Sequence, residues 1–228
     1  MTSALGRDRL TRWLLAGGVV GPLLFIVVFL IEGASRRGYS VWRNFVSELA
    51  LSDQGWEQIA NFIACGLLCV AFAVGLRRTW RTGKASVWGP LLMAAFGLSL
   101  VVAGVFVTDP ARGYPPGAPL TGSPQTWHGT IHGTNALVAF GVLTAACFVL
   151  ARRFALLPGT RGWATYSRVT GALVLVLFVL GTVSGALDEN GVLSAPTGLI
   201  QRAQIIIGWS WIALTAWRLR GQWSKGVS

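Results

Sequence analysis

Apolar residues run along this chain in long blocks, and the short stretches between them collect arginine, proline, glycine and carboxylates. The blocks cover about 13–31, 56–76, 86–107, 127–150, 166–187 and 199–219. Each is close to the roughly 20 residues an α-helix needs to cross the hydrocarbon core of a bilayer. The pattern predicts an all-α fold: a polytopic integral membrane bundle of six transmembrane helices forming one domain over 1–228. The first block is too long for a signal-peptide core and more spans follow it, so it reads as a retained helix.

Two loops break the simple pattern. Between 34 and 55, apolar residues at 42, 45, 46 and 49 follow a helical spacing. This predicts a short helix over 41–51, lying in the membrane interface or tucked into the mouth of the bundle. Between the third and fourth blocks, Pro115, Pro116, Pro119 and Pro124 rule out a continuous helix and predict a loop or lid. Residues 190–198 read as a turn-forming connection.

Composition agrees with a membrane protein. The chain is 53% hydrophobic and only 12% charged, where soluble domains carry about a quarter charged residues. A net charge of +11 would suit nucleic acid, but the basic residues gather beside apolar blocks: Arg7, Arg9 and Arg12, then Arg77 to Lys84, then Arg152 to Arg168, then Arg218 to Lys225. Membrane lipids are therefore the expected partner, and nucleic acid is not. The positive-inside rule puts these segments and both termini in the cytoplasm of a multi-pass cell-membrane protein. Arg36, Arg37 and Arg43 dissent, because they fall on the outer side. Tryptophans near block ends, among them Trp13, Trp56, Trp80, Trp88, Trp127 and Trp163, fit an interfacial belt. Cys65, Cys69 and Cys147 lie inside apolar blocks with no zinc or disulfide spacing, and read as small core residues.

With this topology Ser47, Glu48, Glu57, Asn61, Asp109, His128, His132, Asp188, Glu189 and Arg202 all come to the outer end. Polar groups in spans are expensive unless they face the bundle or one another. His128, His132 and Asn135 share one face of the fourth helix, with His132 about 6 Å deeper than His128. Two imidazoles one turn apart, with Asp109 as third ligand, can hold a divalent metal such as zinc or magnesium and leave a position open. The same groups can work as acid and base. They can also pair with Asp109, Glu57 or Asp188 in an inert, satisfied network.

Ser47 and Glu48 join this group if loop 34–55 folds back; otherwise Ser47 caps a short helix and Glu48 favours its positive end. Arg202 is expected to neutralise Asp188 or Glu189, or to clamp an anionic head group. Asn61, Asn135, Arg202, Asp188 and Glu189 are the candidates for contact with a substrate.

The order NFVSELALSDQGW, a span ending TDP, a Pro-rich loop into HGTIHG and a last span opening LIQRAQ resembles the six-span membrane family called domain of unknown function 998. The matching positions are Ser47, Glu48, Leu49, Trp56, Asn61, Asp109, Pro110, His128, Gly129, His132, Gly133 and Arg202. That resemblance implies a bundle and supplies no activity. A looser similarity is to membrane hydrolases of the alkaline ceramidase and adiponectin receptor kind, which use a serine, an aspartate and three histidines around zinc on seven spans. Here Asp109, Glu48 or Asp188 would have to replace the third histidine. Small membrane-bound terpene cyclases are also similar, with Glu48, Asp109 and the tryptophans in the corresponding roles. The leading expectation is an enzyme acting on a lipid or isoprenoid near the outer leaflet, with a prenyl or acyl substrate. Hydrolysis or cyclisation would proceed by metal-assisted or acid–base chemistry at Asp109, His128 and His132. A small-molecule or ion transporter and a non-catalytic accessory protein are the rivals.

Overall fold

The computed structural model describes residues 2–191 and 195–225; positions 192–194 of the predicted 190–198 connection lie outside them. The described residues form an all-α bundle of long helices: α1 (Thr2–Ser35), α2 (Gly55–Thr79), α3 (Trp88–Val105), α4 (Trp127–Phe154), α5 (Arg161–Glu189) and α6 (Thr197–Lys225). Each packs against its neighbours in sequence, and α6 returns to pack against α1, so the helices close into a ring. Five of them, α1 over Arg9–Ser35 and α2 to α5, are long and apolar enough to cross a membrane. In α6 the polar Gln201, Arg202 and Gln204 near one end and Arg218 and Arg220 near the other lower the mean hydropathy. Large apolar side chains such as Leu23, Val27, Leu30, Val176, Val179 and Val183 are exposed, which suits a surface facing lipid. This is a multi-pass integral membrane protein.

An aromatic centre holds the ring together. Trp209 of α6 meets Phe25 of α1, Phe96 of α3 and Phe140 of α4, with ring centroids at 5.5, 4.9 and 6.2 Å. Such offset and edge-on contacts add to area burial by about 0.5–1.5 kcal/mol per pair. On one side, α1, α2 and α3 approach through glycines. A Cβ on Gly66 would lie 2.5 Å from the Gly97 carbonyl oxygen, one on Gly97 would lie 2.6 Å from that of Gly66, and one on Gly17 would lie 2.6 Å from that of Leu68. Small residues at a membrane interface let backbones come this close and gain dispersion contact where lipid offers no hydrophobic driving force.

On the opposite side, α4 and α5 touch at Gly171, where a Cβ would lie 2.9 Å from that of Cys147. They touch again through the rings of Phe140 and Phe178, 5.2 Å apart. Toward the N-terminus of α4 the two helices part.

Segment 41–51 differs from the expected helix. It makes turns and then a single 3-10 turn, Val46–Ala50, in which every residue is buried. The turn is drawn into the bundle mouth because its polar groups find partners there. Val46 N donates to Gln201 Oε1 at 2.7 Å, and Asn44 Nδ2 donates to Glu48 Oε2 at 2.6 Å. Tryptophan placement also needs one correction: Trp80 is buried against Phe154 under Arg153, not in a belt.

Candidate functional site

The polar residues concentrate where α1, α3 and α5 end and α2, α4 and α6 begin. Loop 106–126 lies over this mouth as a strap. Thr126 ends it, with extended backbone and a hydroxyl that accepts from Gly129 N at 3.1 Å, which is an N-cap for α4. Asp109 sits beside the same helix end. Its carboxylate accepts from Thr126 N at 2.9 Å and from Thr126 Oγ1 at 2.6 Å. A Cβ at position 129 would lie 1.9 Å from Asp109 Oδ2, so glycine there gives the carboxylate its place over the positive end of α4.

The two histidines do not converge. His128 is exposed, and its Nδ1 lies 2.8 Å from Thr126 Oγ1. Since the hydroxyl proton goes to Asp109, His128 Nδ1 carries a proton and donates. His132 is buried, and its Nδ1 lies 2.8 Å from the Phe106 carbonyl oxygen. A carbonyl only accepts, so Nδ1 is protonated and Nε2 is the acceptor in the neutral ring. Among the described residues no three His, Cys, Asp or Glu side chains gather into a group that could hold a metal ion. Asp109 and His128 are engaged in capping α4, and His132 Nδ1 is engaged by the Phe106 carbonyl. The donor set expected for zinc or magnesium is therefore not assembled.

Arg202 also departs from expectation. It pairs with neither Asp188 nor Glu189. Its guanidinium is buried, and Nη1 donates to the carbonyls of Val41, Asn44 and Gly198 at 3.1, 2.9 and 3.0 Å while Nη2 donates to the Tyr39 hydroxyl. Gly198 makes room for this, since a Cβ there would lie 2.5 Å from the Asn44 oxygen. Arg202 thus pins loop 39–45 to the start of α6. Burial pushes the Tyr39 phenol well above its ordinary range, against the opposing pull of Arg202.

The carboxylates find other partners. Asp188 receives Arg43 Nη2 at 2.9 Å. Glu189 Oε1 accepts from Ser123 N at 2.8 Å, and its Oε2 lies 3.9 Å from Arg112 Nη1. Arg112 Nη2 bonds Glu48, and its guanidinium lies 4.3 Å over the Phe45 ring. Burial pushes the Glu48 carboxyl above its ordinary range, with Arg112 and Asn44 pulling the other way. Arg36 donates to Glu57 at 2.9 Å. Two of the three arginines that dissent from the charge rule are thus neutralised within the protein.

Asn61 and Asn135 tie helices together. Asn61 Nδ2 donates to Phe25 O at 3.2 Å and to Gln58 Oε1 at 3.0 Å, and Asn135 Nδ2 donates to Ser99 O at 2.8 Å. Ser47 caps nothing: the residue at the cap position is Phe45, which makes no side-chain cap bond.

Where α4 and α5 part, they enclose a chamber of about 590 Å³. Asp109, Arg112 and Glu189 line its mouth, Ser47, His132, Gln201 and Gln204 its inner wall, and Phe140 and Phe178 its apolar floor. Gly133, Leu137 and Thr182 stand exposed at its rim, so it opens sideways to the lipid-facing surface. Ser47, His132, Gln201 and Phe140 also border an inner cavity of about 60 Å³ that continues toward Phe25, Phe62 and Trp209.

The structure brings Ser47, Asp109, His132 and Glu189 to one chamber together with Arg112, Gln201 and Gln204, and Thr126 beside Asp109; the last four carry no site role in the sequence pattern. Thr126 was legible as a capping residue ahead of an apolar run. Arg112 was signalled only by being a lone arginine in a proline-rich strap.

A ring of long apolar helices with a polar chamber opening between two of them defines a polytopic helical membrane protein. The chain belongs to the family described as protein of unknown function DUF998, whose profile matches residues 19–218. No curated protein and no solved structure matches it, so the similarities to ceramidase-like hydrolases and terpene cyclases gain no support.

Proposed function

We propose that this protein takes an amphiphilic lipid or isoprenoid sideways from the bilayer into the slot between α4 and α5 and holds its polar head at the mouth. In this reading all six helices span the membrane, both termini are cytoplasmic and the mouth faces the outer leaflet. The observation that carries the proposal is the chamber itself, which is polar at one end, apolar and aromatic at the other, and open along its side. Ligand pockets of this size are usually apolar with a few placed polar groups, and a membrane-facing opening selects a ligand that already resides in lipid.

A chemical role follows from one further arrangement. The Ser47 hydroxyl makes no hydrogen bond among the described residues, and it borders the same two cavities as His132, whose Nε2 is its acceptor nitrogen. A hydroxyl and an imidazole facing one bound head group can transfer protons without a metal. This supports acid–base chemistry over metal-assisted chemistry.

Gly133→Leu and Gly181→Leu test the binding reading. Gly133 has nothing within 4 Å of a Cβ, and Gly181 meets only Ile200 at 3.5 Å. Lipids extracted from purified wild-type protein should contain a species that the double variant loses while keeping its melting temperature. Identical lipid profiles would remove the proposal. For turnover, wild type and His132→Gln would be incubated with a total membrane lipid extract, and a lipid consumed by wild type alone is the expected result.

A further inference from the structure

From the charges and amide orientations in the chamber, we infer that its ligand carries a neutral, hydrogen-bonding head group, a hydroxyl or carbonyl, and not a phosphate or other anion. The inference rests on the amphiphile reading above and narrows it to a substrate class.

One cation lines the chamber among the described residues, Arg112, and it is already neutralised. It bonds Glu48 on one side and lies 3.9 Å from Glu189 on the other, with 8% of its side chain exposed. Arg202, the other buried guanidinium at this end, is held by three carbonyls and Tyr39 and does not line the chamber. Against Arg112 stand the carboxylates of Asp109 and Glu189 in the lining, with Glu48 behind. A phosphate placed here would meet carboxylates with no free guanidinium or ammonium to offset them. Desolvating an anion without such a partner is strongly unfavourable.

What the inner wall does offer is matched to a neutral head. Val46 N donates to Gln201 Oε1, which fixes that amide and leaves its NH2 as a donor. Gln204 Nε2 donates to the Val174 carbonyl at 3.2 Å, which fixes the second amide the opposite way and leaves its oxygen as an acceptor. Backbone partners set both orientations, because an N–H only donates and a carbonyl only accepts. A donor amide and an acceptor amide three residues apart on α6, with the Ser47 hydroxyl, satisfy both faculties of an alcohol.

The test compares one chain with different heads. Farnesol and farnesyl phosphate would be titrated against the full-length protein in uncharged detergent, with binding read by thermal stabilisation and by calorimetry. Farnesol should bind at least about tenfold more tightly. Glu189→Gln, which releases one side of Arg112, should narrow that gap by strengthening phosphate binding. Gln204→Leu should weaken farnesol. Equal or tighter binding of farnesyl phosphate by wild type would overturn the neutral-head inference while leaving the amphiphile reading standing. Failure of both probes to bind would overturn both.

Discussion

The two sides of the ring use glycine for opposite ends. Between α1, α2 and α3, glycines sit where a Cβ would press within 2.5–2.6 Å of a facing carbonyl oxygen, as at Gly66, Gly97 and Gly17. There the absent side chain lets backbones meet. On α4, Gly133 and Gly141 have nothing within 4 Å, and on α5 Gly181 is nearly as free. In Gly133 and Gly181 the absent side chain leaves a chamber. Close packing makes the first side a rigid scaffold, and withheld packing makes the second a place where something else can fit. The pin between them is Arg202, which fastens the mouth loop to α6.

Removing that pin should have the largest effect. Arg202→Met strands carbonyls of Val41, Asn44 and Gly198, and a buried group left unsatisfied costs about 1–3 kcal/mol. Thermal melts in detergent should show the greatest loss here. Arg43→Met and Asp188→Ala should couple by about 0.5–3 kcal/mol, and more strongly than Arg202→Met and Asp188→Ala, which share only the loop that carries Arg43.

Next in size is the scaffold seam. Gly66→Ala and Gly97→Ala should each cost about 1–3 kcal/mol through overpacking against backbone that cannot retreat. If either were neutral, the close approach of α2 and α3 would not be a source of stability, and the contrast between the two sides would fail.

A smaller effect concerns pH. The folded-state pKa of Glu48 is raised, so the folded protein holds this proton more tightly than the unfolded chain does. The stability from Glu48 is therefore present below the ordinary carboxylate pKa and is lost as pH rises through the raised value. Melting temperatures measured across that window should fall with rising pH in wild type and flatten in Glu48→Gln.

The smallest expected change is at Gly133→Ala, which adds a methyl to open space. Its unfolding free energy should stay within about 0.5 kcal/mol of wild type, while that of Gly66→Ala does not. Equal effects at the two glycines would erase the distinction between filled and open sides.

Much of this was legible in the chain. Apolar block length gave the helices, the proline run gave the strap, and the alternation of basic and acidic connections along the blocks gave the end where polar groups meet. The pairings were not legible, for physical reasons. Arg202 was matched to Asp188 and Glu189 because they are close in sequence, but the connection carries them to Arg43 and to Arg112 and Ser123, which approach from distant loops. Spacing placed His128 and His132 on one helix, but one turn of rise is enough to leave the first on a capping threonine and send the second to the carbonyl of Phe106. Nor does any local pattern reveal that α4 and α5 part, since that depends on which glycines lack a neighbour across the interface.

The central claim is that the α4–α5 slot, and not the close-packed side, receives an amphiphile. Photolabelling with a diazirine-bearing fatty alcohol, followed by peptide mass spectrometry, tests it directly. Labels are predicted to concentrate on Leu137, Phe140 and Phe178 and to be displaced by excess unlabelled alcohol. Labels spread evenly around the lipid-facing belt, or gathered between α1 and α2, would contradict it.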